Sequence, residues 1–238
     1  MNSFDLKVLL KQKKLPKKIG DLIRWVCLDG DNLKGVNFHG LTYEDISFFN
    51  VTITDANMES SHFGNSIFHN VKFINSSIIG KFINCVFIDC VFSGSNFMIY
   101  RTENSQFINC QFENIDKLIL DTTNTKIINC QFINVKITNS FNGSCLFYKN
   151  DFVESEIHNS PFQPSKLFLN KFFKVKLKKP NNYFGTFYKN EYLKSTGFEK
   201  DLIHNEEKES FIIQGQEIDN MKNYMKQILV LLDKKPKK

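Results

Sequence analysis

The sequence is poor in residues that interrupt regular structure, with 11 Gly and 5 Pro among 238 residues. Its longest aliphatic run, ILVLL at 228–232, is far too short to span a bilayer. The N-terminus, MNSFDLKVLLKQKKLPKK, puts lysines after a short apolar patch, whereas a secretory signal has basic residues first and a longer apolar core. These absences predict an ordered, soluble chain without a membrane span or a cleaved signal.

Motifs that carry chemistry are also missing. The sequence has no CxxC pair, HExxH, GxSxG, GxGxxG or P-loop, which argues against the commonest metal, hydrolase and nucleotide sites. We therefore expect no enzymatic activity, no metal and no cofactor. The histidines are isolated from one another: His39, His62, His69, His158 and His204.

Six cysteines without a secretory signal indicate free thiols in a reducing compartment. We expect the cytoplasm, or export by a route that needs no signal peptide. Five of the cysteines are separated by multiples of five residues, a spacing that matches no zinc motif: Cys85, Cys90, Cys110, Cys130 and Cys145.

The most abundant aromatic residue follows the same spacing. Steps of five from Leu28 to Ile78, and again from Phe82 to Tyr192, meet an apolar residue at 29 of 34 positions and collect 17 of the 25 Phe. A period of five residues matches neither an α-helix nor a single β-strand. Each five-residue unit must therefore turn a corner before it presents its apolar residue to the interior again. The pattern predicts a solenoid of stacked strands.

The residue two places before each central residue should share the inward face, because side chains alternate along a strand. In the second frame these positions hold small residues, and they include the five regularly spaced cysteines. Buried free cysteine behaves as a small apolar residue, and burial leaves its thiol inert. We interpret these cysteines as part of the wall of the solenoid.

Units such as SIFHN, VKFIN, CVFID, CQFEN and CQFIN resemble those of the pentapeptide-repeat family. The resemblance covers residues 28–192, although this chain prefers Phe to Leu and Cys or Ser to Ala. It implies an all-β solenoid, a right-handed quadrilateral parallel β-helix with four pentapeptides in each coil. At 20 residues per coil, the repeats would make about eight coils.

The exceptions to the repeat fall on one face. Polar residues replace the central apolar residue at intervals of 20 or a multiple of it: Thr102, Thr122, Asn142 and Asn182. A slip of one residue between Ile78 and Phe82 lies in the same column, and Lys117 indicates a distortion just before it. We expect this face to bulge or carry loops.

Two interpretations of the irregular face stay open. It is either a partner-binding surface, since solenoids concentrate recognition on one side, or a wall in which Thr and Asn ladders form hydrogen bonds between coils. For the first interpretation the candidate surface residues are Arg101, Glu103, Asp121 and Phe141.

The two ends of a solenoid must be covered. Residues 1–27 are predicted to form a helical cap, with Ile19, Leu22, Ile23 and Val26 at helical spacing. Residues 193–238 are predicted to form a linker, an amphipathic helix over 216–233 and a basic tail. The helix either caps the last coil or pairs with a second copy, and resemblance to gyrase-targeting members of the family favours pairing. Its apolar stripe is Ile218, Met221, Met225, Ile228, Leu229 and Leu232.

The charge distribution separates the candidate functions. Residues 28–121 hold 5 basic and 11 acidic groups, whereas residues 122–192 hold 10 basic and 4 acidic groups. The best-known activity of the family is imitation of duplex DNA on type II topoisomerases, which needs a broadly anionic rod.

We therefore predict a non-enzymatic interaction module, of scaffold or effector type, for a protein partner. The alternative is a DNA-mimic-like modulator of a type II topoisomerase (gyrase) that gives drug or toxin protection. Direct nucleic-acid binding through residues 166–179 and the lysine-rich ends stays open, although such charge runs are typical of solvated surface.

Overall fold

The computed structural model describes residues 22–24, 26–94, 96–141, 143–158, 165–178, 186–188 and 190–197. The predicted C-terminal helix, most of the N-terminal cap, Asn142 and Asn182 lie outside these residues. Every named element in the described part of the chain is a β-strand.

There are 25 described strands, most of them three residues long. They are β1 (Leu22–Arg24), β2 (Cys27–Asp29), β3 (Asn32–Lys34), β4 (Thr42–Glu44), β5 (Ser47–Phe49), β6 (Thr52–Thr54), β7 (Ser61–Gly64), β8 (Ile67–His69), β9 (Lys72–Ile74), β10 (Ser77–Ile83), β11 (Val86–Ile88), β12 (Val91–Ser93), β13 (Asn96–Glu103), β14 (Gln106–Ile108), β15 (Gln111–Thr123), β16 (Thr125–Ile128), β17 (Gln131–Thr138), β18 (Cys145–Tyr148), β19 (Asp151–Val153), β20 (Glu156–His158), β21 (Lys166–Phe168), β22 (Lys171–Phe173), β23 (Lys176–Lys178), β24 (Thr186–Tyr188) and β25 (Glu191–Leu193).

The strands stack in parallel into four faces, which we number in chain order from β2. Face 1 is a separate nine-stranded sheet, β2-β5-β8-β11-β14-β16-β18-β21-β24. Face 2 begins with β3, β6 and β9, face 3 ends with β20 and β23, and face 4 begins with β1, β4 and β7. Faces 2, 3 and 4 are joined into a 16-stranded sheet by the long strands β10, β13, β15 and β17. The chain is thus a parallel β-solenoid of at least seven turns.

The corners between faces depend on a left-handed backbone conformation every five residues. Asn109 and Asn129 both have φ of 54°, and similar values recur in the other corners, mostly at Asn, Asp and Gly but also at Lys149, Glu154 and Leu169. Asn tolerates this region better than most residues because its short polar side chain bonds locally. Asn129 Nδ2 donates to Asn109 Oδ1 at 2.9 Å, so the corner residues also bond from coil to coil.

The interior is filled by stacked Phe rings, as the five-residue period predicts. Phe87 and Phe107 stack with centroids 4.6 Å apart and planes 2° apart, and Phe112 and Phe132 stack at 4.8 Å with the same angle. Rings on adjacent faces meet edge to face, for example Phe82 with Phe87 at 5.2 Å. Burial and these ring geometries make the Phe columns the main source of stability.

The cysteines are buried in the wall, as predicted. Cys85, Cys90, Cys110, Cys130 and Cys145 are buried free thiols, whereas Cys27 is exposed. Cys90 Sγ donates to the Phe68 carbonyl oxygen at 3.3 Å. Burial raises the pKa of the Cys85 thiol to about 12 and also raises that of Cys90.

Buried asparagines continue the cysteine column of face 2. Asn150 and Asn170 are fully buried. The Asn150 backbone N–H and side-chain amide both donate to Asn170 Oδ1 at 2.9 Å, and Asn170 makes the same pair of bonds to Asn190 Oδ1. Each inward amide therefore finds partners in its neighbouring coils, as a buried polar group must.

The slip between Ile78 and Phe82 is a straight passage rather than a loop. Ile78, Gly80 and Phe82 are all buried in the continuous strand β10, so the chain moves from face 3 to face 4 without a corner. A Cβ on Gly80 would collide with the Ser61 carbonyl oxygen, which explains the glycine. Phe82 pairs with Phe63, 19 residues earlier, so this coil is one residue short.

The solenoid also extends further than predicted. β1 pairs with β4, and Ile23 and Val26 are buried in the first coil. The described residues 22–24, 26 and 27 therefore belong to the solenoid and not to the helical cap, because Ile23 lies in the same five-residue frame as Leu28. At the other end, Thr196 bridges to Lys176 and pairing continues beyond Tyr192.

The burial of the thiols predicts their reactivity. In the folded protein at pH 8 the five buried thiols are shielded from solvent, so only exposed Cys27 should react rapidly with a disulfide reagent. All six cysteines should react in denaturant. Titration of released thiolate measures this, and Cys27→Ser should remove the rapid phase; a second rapid thiol in the folded protein would contradict it.

Candidate partner-binding face

Face 4 carries three of the four predicted surface residues on its outer side. Arg101 and Glu103 flank buried Thr102 in β13, and Asp121 flanks buried Thr122 on the next coil. Arg101 Nε donates to Glu103 Oε1 at 2.6 Å. Partial burial raises the pKa of Asp121, whereas the Glu103 carboxylate raises the pKa of Arg101. The structure therefore brings an ion pair and a partly desolvated carboxyl group onto neighbouring coils.

Phe141 does not belong to this surface. It is fully buried, and its ring meets that of Phe147 edge to face at 4.7 Å. Its backbone N–H donates to the Leu120 carbonyl oxygen at 3.0 Å, and its φ is 62°. The prediction that Phe141 is a surface residue is wrong, because the five-residue frame assigned the inward position to Asn142.

Tyr100, which the five-residue period does not single out, is a prominent feature of face 4. In the pairing of β10 with β13, Gly80 lies opposite Ile99 and Lys81 lies opposite Arg101, so Tyr100 is an extra residue. Its side chain is 55% exposed. Bulges of this kind re-aim side chains and are common beside binding sites. The sequence does contain a signal for this bulge: position 100 lies two residues before Thr102, where the repeat usually has a small inward residue, and it holds a large Tyr. In the structure Ile99 points inward in its place.

A shallow groove of about 420 Å³ runs beside Tyr100. Its walls include His39, His62, Ile79 and Lys81. Burial and the Lys81 charge lower the pKa of His62, so this imidazole is neutral at pH 7. The groove thus combines an exposed aromatic ring with neutral and cationic groups.

Register shifts occur on successive coils, at the entry to face 4 in the pairing of β13 with β15 and on face 3 in the pairing of β15 with β17. The pairing of β15 with β17 shifts between Ile115 and Leu118, where exposed Lys117 is passed over and Leu118 turns inward. This confirms the distortion predicted at Lys117. The Thr102 hydroxyl is buried without a hydrogen-bond partner, so bonding between coils does not account for this Thr.

The basic second half of the solenoid is partly neutralised by its own carboxylates. Lys174 Nζ donates to Glu154 Oε1 at 2.6 Å, and Lys178 Nζ donates to Glu156 Oε2 at 3.2 Å. Hydrogen bonds from His158 and Lys178 lower the pKa of Glu156. These pairs lie across successive coils and reduce the positive potential that a nucleic acid would meet.

The described residues offer little chemistry beyond this face. None of the described ranges brings three or more His, Cys, Asp or Glu side chains together as a metal site. A search of the same ranges finds no helix that is long and apolar enough to cross a membrane.

Four inward five-residue segments per coil, left-handed corners between most of them and parallel stacking at intervals of 20 residues define the architecture. The chain folds as a pentapeptide-repeat β-helix. No family model and no curated protein matches the sequence.

Solved structures with weak similarity to this β-helix include pentapeptide-repeat proteins. Trypsin-treated QnrB1, a plasmid-mediated fluoroquinolone resistance protein, is 15% identical with a TM-score of 0.46, covering 76% of this chain and 96% of its own. HetL, a pentapeptide repeat protein involved in heterocyst differentiation regulation from the cyanobacterium Nostoc sp., is 8% identical with a TM-score of 0.32, covering 82% of this chain and 92% of its own. The β-helical fold of this chain is defined by its own coil geometry.

The different placements of Phe141 and Tyr100 predict different effects on stability. Phe141→Ala should lower the free energy of unfolding by about 3–5 kcal/mol because it leaves a cavity in the β-helix. Tyr100→Ala should change it by less than about 0.5 kcal/mol because the ring is exposed. Urea denaturation followed by circular dichroism measures both, and equal losses would contradict the assignment of Tyr100 to the surface.

Proposed function

We propose that the protein is a non-enzymatic interaction module that binds a protein partner through face 4. The observation that carries this proposal is the bulge at Tyr100, which exposes an aromatic ring beside Arg101 on the outer side of face 4. Tyr and Arg are enriched among the residues that dominate protein interfaces. Exposed side chains with no role in the interior are the ones available for recognition.

The shape of the surface supports the same proposal. Strands β10, β13 and β15 cross from face 3 to face 4 without a corner, which makes one continuous sheet surface over three coils. The groove beside Tyr100 has the volume to accept a side chain of the partner, and the rigid sheet around it would supply the remaining contact area. A specific interface buries about 800 Å² on each partner, which a surface several coils long can provide.

The alternative, a DNA-mimic-like modulator of gyrase, has less support. The acidic excess lies in residues 28–121 and the basic excess in residues 122–192, so a groove adapted to phosphates would meet opposite signs along the rod. Direct nucleic-acid binding is also not favoured, because Glu154 and Glu156 pair with lysines of the basic half.

Three further proposals concern the compartment, the cofactor requirement and the C-terminal segment. The protein works in a reducing compartment such as the cytoplasm, in keeping with its buried free thiols. It needs no cofactor. The third concerns the predicted C-terminal stripe, Ile218 to Leu232: pairing of two copies through it is the alternative to the docking within one chain that is argued in the next subsection.

Site-specific photocross-linking tests the choice of face. A benzophenone amino acid would replace Tyr100 on face 4 or, as a matched control, Ile133 on the outer side of face 2, in cells that naturally make the protein. We expect a discrete cross-linked product from position 100 only, identified by mass spectrometry and lost when Arg101→Glu is added. The same products from both faces, or no product from either, would contradict the proposal.

A gyrase supercoiling assay tests the alternative separately. Because the rod lacks a continuous anionic surface, we expect supercoiling and its inhibition by a fluoroquinolone to be unchanged when the protein is added in stoichiometric excess. Inhibition of supercoiling, or protection from the drug, would overturn the argument from charge. A solenoid protein of another family with similar net charge serves as the control for non-specific effects.

A further inference from the structure

Face 1 carries a column of apolar side chains on its outer side. The residue after each central inward residue points outward by strand alternation. Ile88, Ile108, Ile128, Tyr148 and Phe168 occupy this position and lie directly opposite one another in adjacent strands. They form a hydrophobic cluster separate from the interior core, and we call them the outer stripe.

The burial of the outer stripe is not explained by the strands alone. Its side chains are only 0–7% exposed. On the outer side of face 2, the equivalent residues are apolar as well but remain half-buried: Ile74, Ile133, Val153 and Phe173. The strand geometry is the same on both faces, so the outer stripe needs a further layer of atoms above it. All the strands in the described ranges belong to the wall of the β-helix itself.

Two polar groups, one in the outer stripe and one next to it, also indicate a layer of atoms above face 1. The Tyr148 hydroxyl is shielded from solvent without a hydrogen-bond partner, although its side chain points away from the interior. Burial lowers the pKa of Lys126, which is another outward residue of face 1. An outward-pointing lysine on an uncovered sheet would be hydrated and would not be desolvated in this way.

The position of the buried coils indicates which terminal segment of the chain covers the outer stripe. In the same outward column, Asp29 is exposed and Phe49 and His69 are half-buried, so the first three coils are not covered. Burial begins at Ile88 and continues to Phe168, towards the C-terminal end. Residues 1–21 join the β-helix at the uncovered end, whereas residues 198–238 leave it at the covered end.

The C-terminal segment has a stripe of matching length. The five strands from Ile88 to Phe168 span about 19 Å at the usual strand spacing. Between Ile218 and Leu232, a helix rises about 21 Å. A helix lying along the solenoid axis would therefore be long enough to place its apolar stripe over the whole outer stripe.

We propose that residues 216–233 form a helix that folds back onto face 1 of the same molecule and buries Ile218, Met221, Met225, Ile228, Leu229 and Leu232 against the outer stripe. In this arrangement the apolar stripe is already used within one chain. It is not available to pair two copies, and face 1 is closed to other partners while face 4 stays open.

Hydrogen exchange of the full-length protein tests this docking. We expect amides in residues 216–233 to exchange at least about tenfold more slowly than in a free peptide of the same sequence. Ile128→Asp should abolish this protection because it places a charge in the outer stripe. The matched control, Ile133→Asp on the outer side of face 2, should leave it unchanged. Circular dichroism reports whether each variant keeps the β-helix.

A second pair of variants changes the predicted helix and leaves the sequence of the described strands unaltered. Met225→Asp should remove the protection of residues 216–233, whereas Lys222→Glu, outside the stripe, should not. The proposal is overturned if residues 216–233 exchange like the free peptide in the unmodified protein. It is also overturned if their protection requires a dimer seen by light scattering, which indicates a second copy, or if Ile128→Asp instead deprotects residues 1–21.

Discussion

The backbone hydrogen bonds between successive coils are the interaction on which the rest of the structure depends. Each strand donates to and accepts from the strand one coil away, so residue i is held beside residue i+20 over most of the second frame. Once this registry is fixed, a side chain is surrounded mainly by its equivalents in the coils before and after it. Identical residues then become partners: Phe stacks on Phe, and corner Asn bonds to corner Asn.

The same registry allows polar residues in a narrow interior. A single buried Asn would cost free energy, because an amide has both donors and acceptors to satisfy. In the column Asn150, Asn170 and Asn190, each side chain supplies what its neighbour lacks, and Nδ2 of each also reaches a wall carbonyl oxygen. The cysteines earlier in this column solve the same problem with a weaker donor and a smaller side chain. Thr102 is the contrasting case, with a buried hydroxyl that has no such partner.

The inward residues could be predicted from the sequence because the five-residue frame constrains them directly. That frame located the Phe columns, the buried cysteines and the distortion at Lys117. It failed at Phe141 and Tyr100 because one-residue shifts in pairing move side chains between the inner and outer surfaces, and such shifts depend on contacts between coils. The frame also contains no information about the outward columns, so the outer stripe was missed. Its signal was the apolar residue that repeatedly follows the inward one, as in VFI, QFI, KII, LFY and KLF.

The short coil at Gly80 has a consequence for how the length of this rod can change. Removing or adding a segment keeps every column aligned only if the segment is a whole coil. That length is 20 residues in the second frame, but 19 residues where the cut crosses Gly80. The rod can therefore change length only by whole coils, and each added coil lengthens all four faces together by about 4.8 Å. A single inserted residue, by contrast, must be expelled as a bulge, as Tyr100 is.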